Sequence, residues 1–344
     1  MVTLKEIARS VGVSTTTVSR VLNYDPTLSM TAAKRQAIIE TAEAMNYSTP
    51  RNRAKATLQA EASPLKRLAV VHFLTPAEEI ADPFYIGVRL GIETRCRDLR
   101  CEITTVFRSQ GTLSSAMFED VSGVVTIGHQ SDGDIAWLKR NVNRLVCADF
   151  DPGDEEIDSV VSDLGAATTK MLDFLAGKGY RRVGFIGTGG PDAAKPFDAA
   201  DPRCVAYAEW HRRRDCLLPE LIALDERATG ESHRLEAGYR LAGALLDLSD
   251  PPDALMTIND NMAIGAYRAI QERGLAIPGD IAVVSFNDIP VAQFLTPPLT
   301  TVRIQSEAIG EVAVELLLEG LSGRGYGKQV RIATELVARG SCRD

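Results

Sequence analysis

From Leu68 onward, short apolar runs alternate with longer stretches of helical periodicity, and this rhythm restricts the fold more than any other feature of the chain. Nine runs read as strands: Leu68–Phe73, Cys101–Phe107, Gly123–Gly128, Leu145–Phe150, Ser159–Ser162, Arg182–Gly187, Ala254–Asn259, Ile281–Phe286 and Leu299–Ile304. Helical patterns lie near 84–98, 164–177, 203–214, 235–248, 261–273 and 306–320. Strands that alternate with helices call for parallel sheets joined by crossover helices. Nine strands exceed one ordinary sheet, so the expected body is α/β, with two doubly wound parallel-sheet lobes. Ligands of such folds bind beyond the carboxyl ends of the strands, here in a cleft between lobes.

Polar residues stand at those carboxyl ends. Asp149 follows Leu145–Ala148, Asn259 follows Ala254–Ile258, Asn287 follows Ala282–Phe286, and Arg203 opens the helix after the 182–187 strand. A lone Asp or Asn at a strand end more often caps the next helix. Several in one register, with an arginine, point instead to a shared ligand. One guanidinium and several carboxylates or amides can bracket the paired hydroxyls of a sugar, with an aromatic ring over its apolar face.

The first sixty residues follow different rules. Thr3 and Glu6 have capping-box spacing, and Ile7, Ala8 and Val11 form an apolar stripe behind them. Gly12 breaks that helix, Ser14 can cap a second with Val18, Val21 and Leu22 inward, and a third runs to about Asn46-Tyr47. Two short helices across a tight glycine turn, with a supporting third, make an all-α helix-turn-helix headpiece. The start of the second helix would then enter the major groove of DNA, presenting Ser14, Thr15, Thr16 and Thr17, with Arg20 one turn on. An arginine there can contact guanine with two hydrogen bonds. The blander reading is that the four hydroxyls only cap and solvate a surface helix.

Charge supports the division. The chain of 344 residues carries a net charge of −8, yet residues 1–60 hold eight Lys/Arg against four Asp/Glu, which leaves −12 for the rest. A small basic unit on an acidic body fits a DNA reader joined to a regulatory domain. No apolar run approaches the ~20 residues of a membrane helix, and Met1 leads directly into a polar helix start, so a cytoplasmic protein is expected. The six cysteines form no CxxC pair and the four histidines no HExxH or i, i+4 pairing, so free thiols are expected and neither a metal site nor a cofactor. Gly187-Thr-Gly-Gly190 lacks the third glycine of a dinucleotide loop. With no nucleophile elbow or phosphate loop either, an enzyme is disfavoured. A solute-binding transport protein would share the two lobes but need an export signal.

Val2–Ala8, Gly12–Asn23 and Ala44–Tyr47 closely resemble the headpiece of the lactose/galactose repressor family. So do, in the body, Ala254–Ile270, Ile281–Asp288 and Pro297–Val302. The resemblance implies a helix-turn-helix headpiece over 1–47, a hinge or linker over 48–66, and a periplasmic-binding-protein-like body over 67–344 that binds effector and dimerises. It implies that Thr15, Thr16 and Arg20 read bases and that Asn23 and Tyr47 position the headpiece on the DNA backbone. In the family a hinge leucine wedges into the minor groove. Ala56 stands at that position here, and Leu58 is the nearest candidate; a flexible linker is the alternative. Carried over by position, Asp149, Arg203, Asn259 and Asn287 contact effector. Asp82-Pro-Phe84-Tyr85 enters the first body helix and walls the pocket, and His233 falls near a stacking aromatic. Asp82-Pro with Gly91–Thr94, Asp149-Phe and Ser285–Pro290 extend the likeness within the family and imply a β-galactoside or related sugar, with a purine or other effector as the alternative. No heptad tail follows Val330–Val337, so a homodimer on palindromic double-stranded operator DNA is expected, without a membrane partner.

Overall fold

The computed structural model describes residues 3–22, 28, 30–45, 66–107, 113–188, 201–225 and 235–344, with Ala32 and Glu43 described through the backbone only. The chain forms two compact units, Met1–Leu65 and Lys66–Asp344.

The first unit holds three helices, α1 (Leu4–Val11), α2 (Thr15–Leu22) and α3 (Ala32–Ala44). The Thr3 N–H donates to Glu6 Oε2 at 2.7 Å, closing the capping box that the spacing predicts. Gly12 ends α1 with φ 69°, a left-handed conformation that suits glycine. Ile7, Ala8, Val18, Val21, Ile38 and Ala42 are buried together. Six side chains make a small core, so the three helices depend on one another.

The second unit contains twelve strands and eight helices among the described residues. One lobe begins with β1 (Arg67–His72), α4 (Pro76–Ile80), α5 (Pro83–Asp98), β2 (Glu102–Phe107), β3 (Gly123–Ile127), α6 (Asp132–Asn141), β4 (Leu145–Ala148) and β5 (Asp158–Ser162). The other comprises α7 (Leu164–Gly177), β6 (Val183–Thr188), α8 (Pro202–Arg212), β7 (Ile222–Asp225), α9 (Leu235–Leu246), β8 (Ala254–Thr257), α10 (Asp260–Glu272), β9 (Ala282–Asn287) and β10 (Thr300–Arg303). The chain then returns to the first lobe with α11 (Ser306–Leu321) and β11 (Gln329–Ile332), and crosses back for β12 (Glu335–Val337). The sheet orders are β2-β1-β3-β4-β5-β11, and β7-β6-β8-β9-β10-β12. Every pairing is parallel except β10 with β12.

The expected pair of doubly wound lobes is therefore present, with three strands and two helices beyond those the sequence marks. Central strands are buried throughout, β3 at every position, because helices cover both faces of a parallel sheet. Edge strands β2 and β11 alternate in burial. Ile222–Asp225 is a four-residue edge strand, too short to show periodicity. Three crossings join the lobes, at 162–164, 304–306 and 332–335. Among the described residues no helix is long and apolar enough to cross a membrane. The six cysteines are free, and burial pushes the thiols of Cys96, Cys147 and Cys204 up to about 12, so they stay protonated and inert.

Candidate functional site

The sheet orders place a switch point in each lobe, and the carboxyl ends of both sheets border one cavity of about 330 Å³. Its lining is Asp82, Phe84, Tyr85, Asp149, Leu164, Arg203, Asn259, Asn287 and Ile304. All six described residues assigned to effector binding from the sequence thus line one space: Asp82, Phe84, Asp149, Arg203, Asn259 and Asn287. His233 lies outside the described residues.

Local sequence explains each position. Asp82 caps α5, its Oδ1 accepting the Phe84 N–H at 3.1 Å, and Pro83 supplies the first helical residue. Asn259 caps α10, its Oδ1 accepting the Met262 N–H at 2.8 Å, which leaves the amide donors for the cavity. The capping role weighed against ligand binding is real for these two, and coexists with lining the cleft. Asp149 and Asn287 have φ of 58° and 110°, a region non-glycine side chains seldom occupy. Two such backbones facing one cavity suit a binding site, where strain concentrates.

The electrostatics centre on Arg203. Its Nε donates to Asp201 Oδ1 at 2.7 Å, its Nη2 to Asp201 Oδ2 at 2.5 Å and its Nη1 to the Ile258 carbonyl at 2.5 Å. The guanidinium also sits 5.6 Å from the Phe286 ring centre. Burial works against its charge, but Asp201 and then Asp149 outweigh that and raise its pKa. Burial raises Asp149 to about 7, although Arg203 and the Tyr85 hydroxyl favour its ionised form. Burial likewise raises Asp82 to about 6 against two backbone N–H groups. The Tyr85 hydroxyl is raised by burial and by the two carboxyls beside it, so it remains a donor. Behind the wall, Asp260 accepts from the Ile289 N–H and the Thr301 hydroxyl, both at 2.8 Å, fixing the start of α10 to the loop after β9 and to strand β10.

The Asp82 and Asp149 carboxyls and the Tyr85 hydroxyl of one lobe therefore face the Arg203 guanidinium and the Asn259 and Asn287 amides of the other across a small apolar-edged space. That arrangement is chemically suited to a polar molecule with adjacent hydroxyls. Among the described residues, the lining holds no serine, cysteine or histidine for nucleophilic chemistry, and no group of three His/Cys/Asp/Glu could hold a metal. A second cavity, about 390 Å³, lies within the first lobe near His72, Phe107, His129 and Ser131. Several of its polar groups bond within the protein: Ser131 Oγ donates to Asp134 Oδ2 at 2.6 Å, Gln130 Nε2 to the Ile127 carbonyl at 3.1 Å, and His72 Nδ1 accepts the Leu74 N–H at 3.1 Å, while His72 Nε2 has no hydrogen-bond partner among the described residues.

The residues missed by sequence reasoning are instructive. Tyr85 closes the quoted Asp82–Tyr85 segment but was not assigned a contact. Leu164 and Ile304 flank crossings between lobes, which no local pattern marks. Asp201 repeats the Asp-Pro helix start of Asp82-Pro83, and that signal was available.

In the headpiece, Thr15 and Thr16 are exposed at the start of α2, and Thr17 and Arg20 are half-buried. Ser14 Oγ accepts the Thr17 N–H at 3.1 Å and pairs with the Thr17 hydroxyl at 2.8 Å. Those two hydroxyls do capping work, leaving Thr15 and Thr16 as the outward pair. Asn23, Tyr47 and Leu58 lie outside the described residues.

Residues 3–50 match a family model described as bacterial regulatory proteins, lacI family, and residues 172–342 one described as periplasmic binding protein-like domain. The chain is 34% identical over 343 residues to the HTH-type transcriptional repressor MelR of Bacillus subtilis (strain 168), covering 99% of this chain and 98% of that one. It is 65% identical over 108 residues to the lactose operon repressor of Rhizobium radiobacter, covering 31% of this chain and 96% of that protein. In fold it is similar to the lac repressor dimer bound to operator and the anti-inducer ONPF, with a TM-score of 0.67 at 22% identity over 99% of this chain and 98% of that one.

Proposed function

Because this chain belongs to the lacI family of bacterial regulatory proteins, we propose that it represses a sugar-utilisation operon, with a β-galactoside in the cleft between lobes controlling operator binding. The family is one of transcriptional regulators, not enzymes. The observation that carries the reading is the convergence of Asp82, Asp149, Arg203, Asn259 and Asn287 on one cavity built from both lobes. The 65% identity to a lactose operon repressor supports a β-galactoside over other effectors.

In this reading Thr15, Thr16 and Arg20 face the operator, the chain acts as a homodimer, and each headpiece takes one half-site of a palindrome. Effector binds one arrangement of the lobes better than the other, and operator affinity shifts by that difference alone. The test is a gel-shift titration on palindromic fragments from the neighbouring intergenic DNA, with and without galactosides, glucosides and purines. A galactoside is expected to change operator affinity, and Arg203→Ala to abolish that change while operator binding persists. Response to a purine alone would replace the effector class. Equal binding to random duplex would remove the repressor reading.

A further inference from the structure

Arg203 is the only cation among the described residues lining the cleft, and its charge is already matched. An arginine recognises phosphate through the two parallel donors of its Nε and Nη2 edge. Here that edge is closed by both oxygens of Asp201, at 2.7 and 2.5 Å. The Nη1 side is turned to the Ile258 carbonyl at 2.5 Å, and the Arg203 backbone N–H goes to Asp201 Oδ1 at 2.9 Å. Among the described residues, the remaining ionisable groups on the lining are the carboxyls of Asp82 and Asp149 and the Tyr85 phenol.

We propose that the cleft is built for an uncharged polyhydroxy ligand and rejects its phosphorylated or otherwise anionic forms, with Asp201 as the residue that sets this preference. This rests on the reading of the cleft as a sugar-effector site. A hydroxyl can donate to Asp149 or Asp82 and accept from the Arg203 and Asn259 donors that remain. Among the described residues, a phosphate finds the Nε and Nη2 edge closed by Asp201 and meets the Asp82 and Asp149 carboxyls beside it, and juxtaposed like charges are the common device for excluding a wrong ligand. Asp201 itself need not touch the ligand. It fixes the guanidinium in place and cancels its field.

The experiment is calorimetric titration of the full chain with matched pairs: methyl β-galactoside and its 6-phosphate, lactose and lactose 6-phosphate, methyl β-glucoside and its 6-phosphate. At least one neutral sugar is expected to bind, with its 6-phosphate at least about 100-fold weaker. Asp201→Asn keeps a helix-capping side chain, so the fold survives while the negative charge is lost. In that variant the ratio of neutral to phosphorylated affinity is expected to shrink by at least about tenfold. Parent protein that binds a 6-phosphate as tightly as its neutral partner would overturn the proposal, as would an unchanged ratio in Asp201→Asn. Failure of every sugar, neutral and phosphorylated, would remove the cleft reading itself, and the inference with it.

Discussion

Asp149 shows what a single carboxyl gives up to line a buried cleft. Burial lifts its pKa from 3.8 to about 7 despite Arg203 nearby. Below about pH 4 the carboxyl is neutral in folded and unfolded chains alike, and stability is unaffected. As pH rises further the unfolded chain ionises while the folded one keeps its proton, so stability falls until about pH 7 and then levels. Asp149→Asn removes that loss. In urea unfolding without ligand, the variant is expected to gain roughly 1–3 kcal/mol over the parent at pH 8 and nothing at pH 4. An equal gain at both pH values would place its origin elsewhere than in the proton. The same substitution is expected to weaken galactoside binding, since it removes the strongest acceptor in the cleft.

At the scale of elements, the contact between α5 and α11 holds the first lobe together. Gly87, Gly91 and Gly310 bring the two backbones so close that a methyl group on Gly91 would run into the Glu307 carbonyl, and one on Gly310 into that of Val88. Backbone cannot yield as a flexible side chain does. Gly91→Ala is therefore expected to destabilise the body by about 1–3 kcal/mol, despite the higher helix propensity of alanine. A denaturation midpoint at or above the parent's would show that the helices can separate without loss. Helix α5 also begins at Asp82 and carries Phe84 and Tyr85, so its seating on α11 sets where three lining residues stand.

For the molecule as a whole, the three crossings between lobes permit the cleft to open and close, and a direct tie joins the lobes among the described residues. The Asn261 side chain on α10 donates to the Ala81 carbonyl at 3.3 Å, beside Asp82 in the opposite lobe. Neither residue lines the cavity. Removing this bond with Asn261→Ala costs the closed form about 0.5–1.5 kcal/mol, so galactoside affinity is expected to fall roughly 2- to 10-fold with the cleft lining intact. Small-angle scattering of the unliganded variant is expected to give a larger radius of gyration than the parent. Unaltered affinity and radius would mean that the tie has no part in the balance between open and closed forms.

The sequence alone determined the class of fold, because alternation of buried strands and amphipathic helices is written in local periodicity. It also marked Asp149, Asn259 and Asn287, which stand at strand ends whatever the order of strands. The places of Thr15, Thr16 and Arg20 on α2 were legible in the same way, from a cap, a glycine turn and a four-residue step. Tertiary structure decided the rest. Leu164 and Ile304 reach the cavity only because the chain crosses between lobes beside them, and Asn261 meets Ala81 across 180 residues of sequence. The pairing of Arg203 with Asp201 lies two residues apart, yet its meaning depends on which carboxyls the opposite lobe brings to face it. Local pattern encodes each element's own preferences; the charge and shape of a cleft are sums over elements distant in sequence, and only their packing performs that sum.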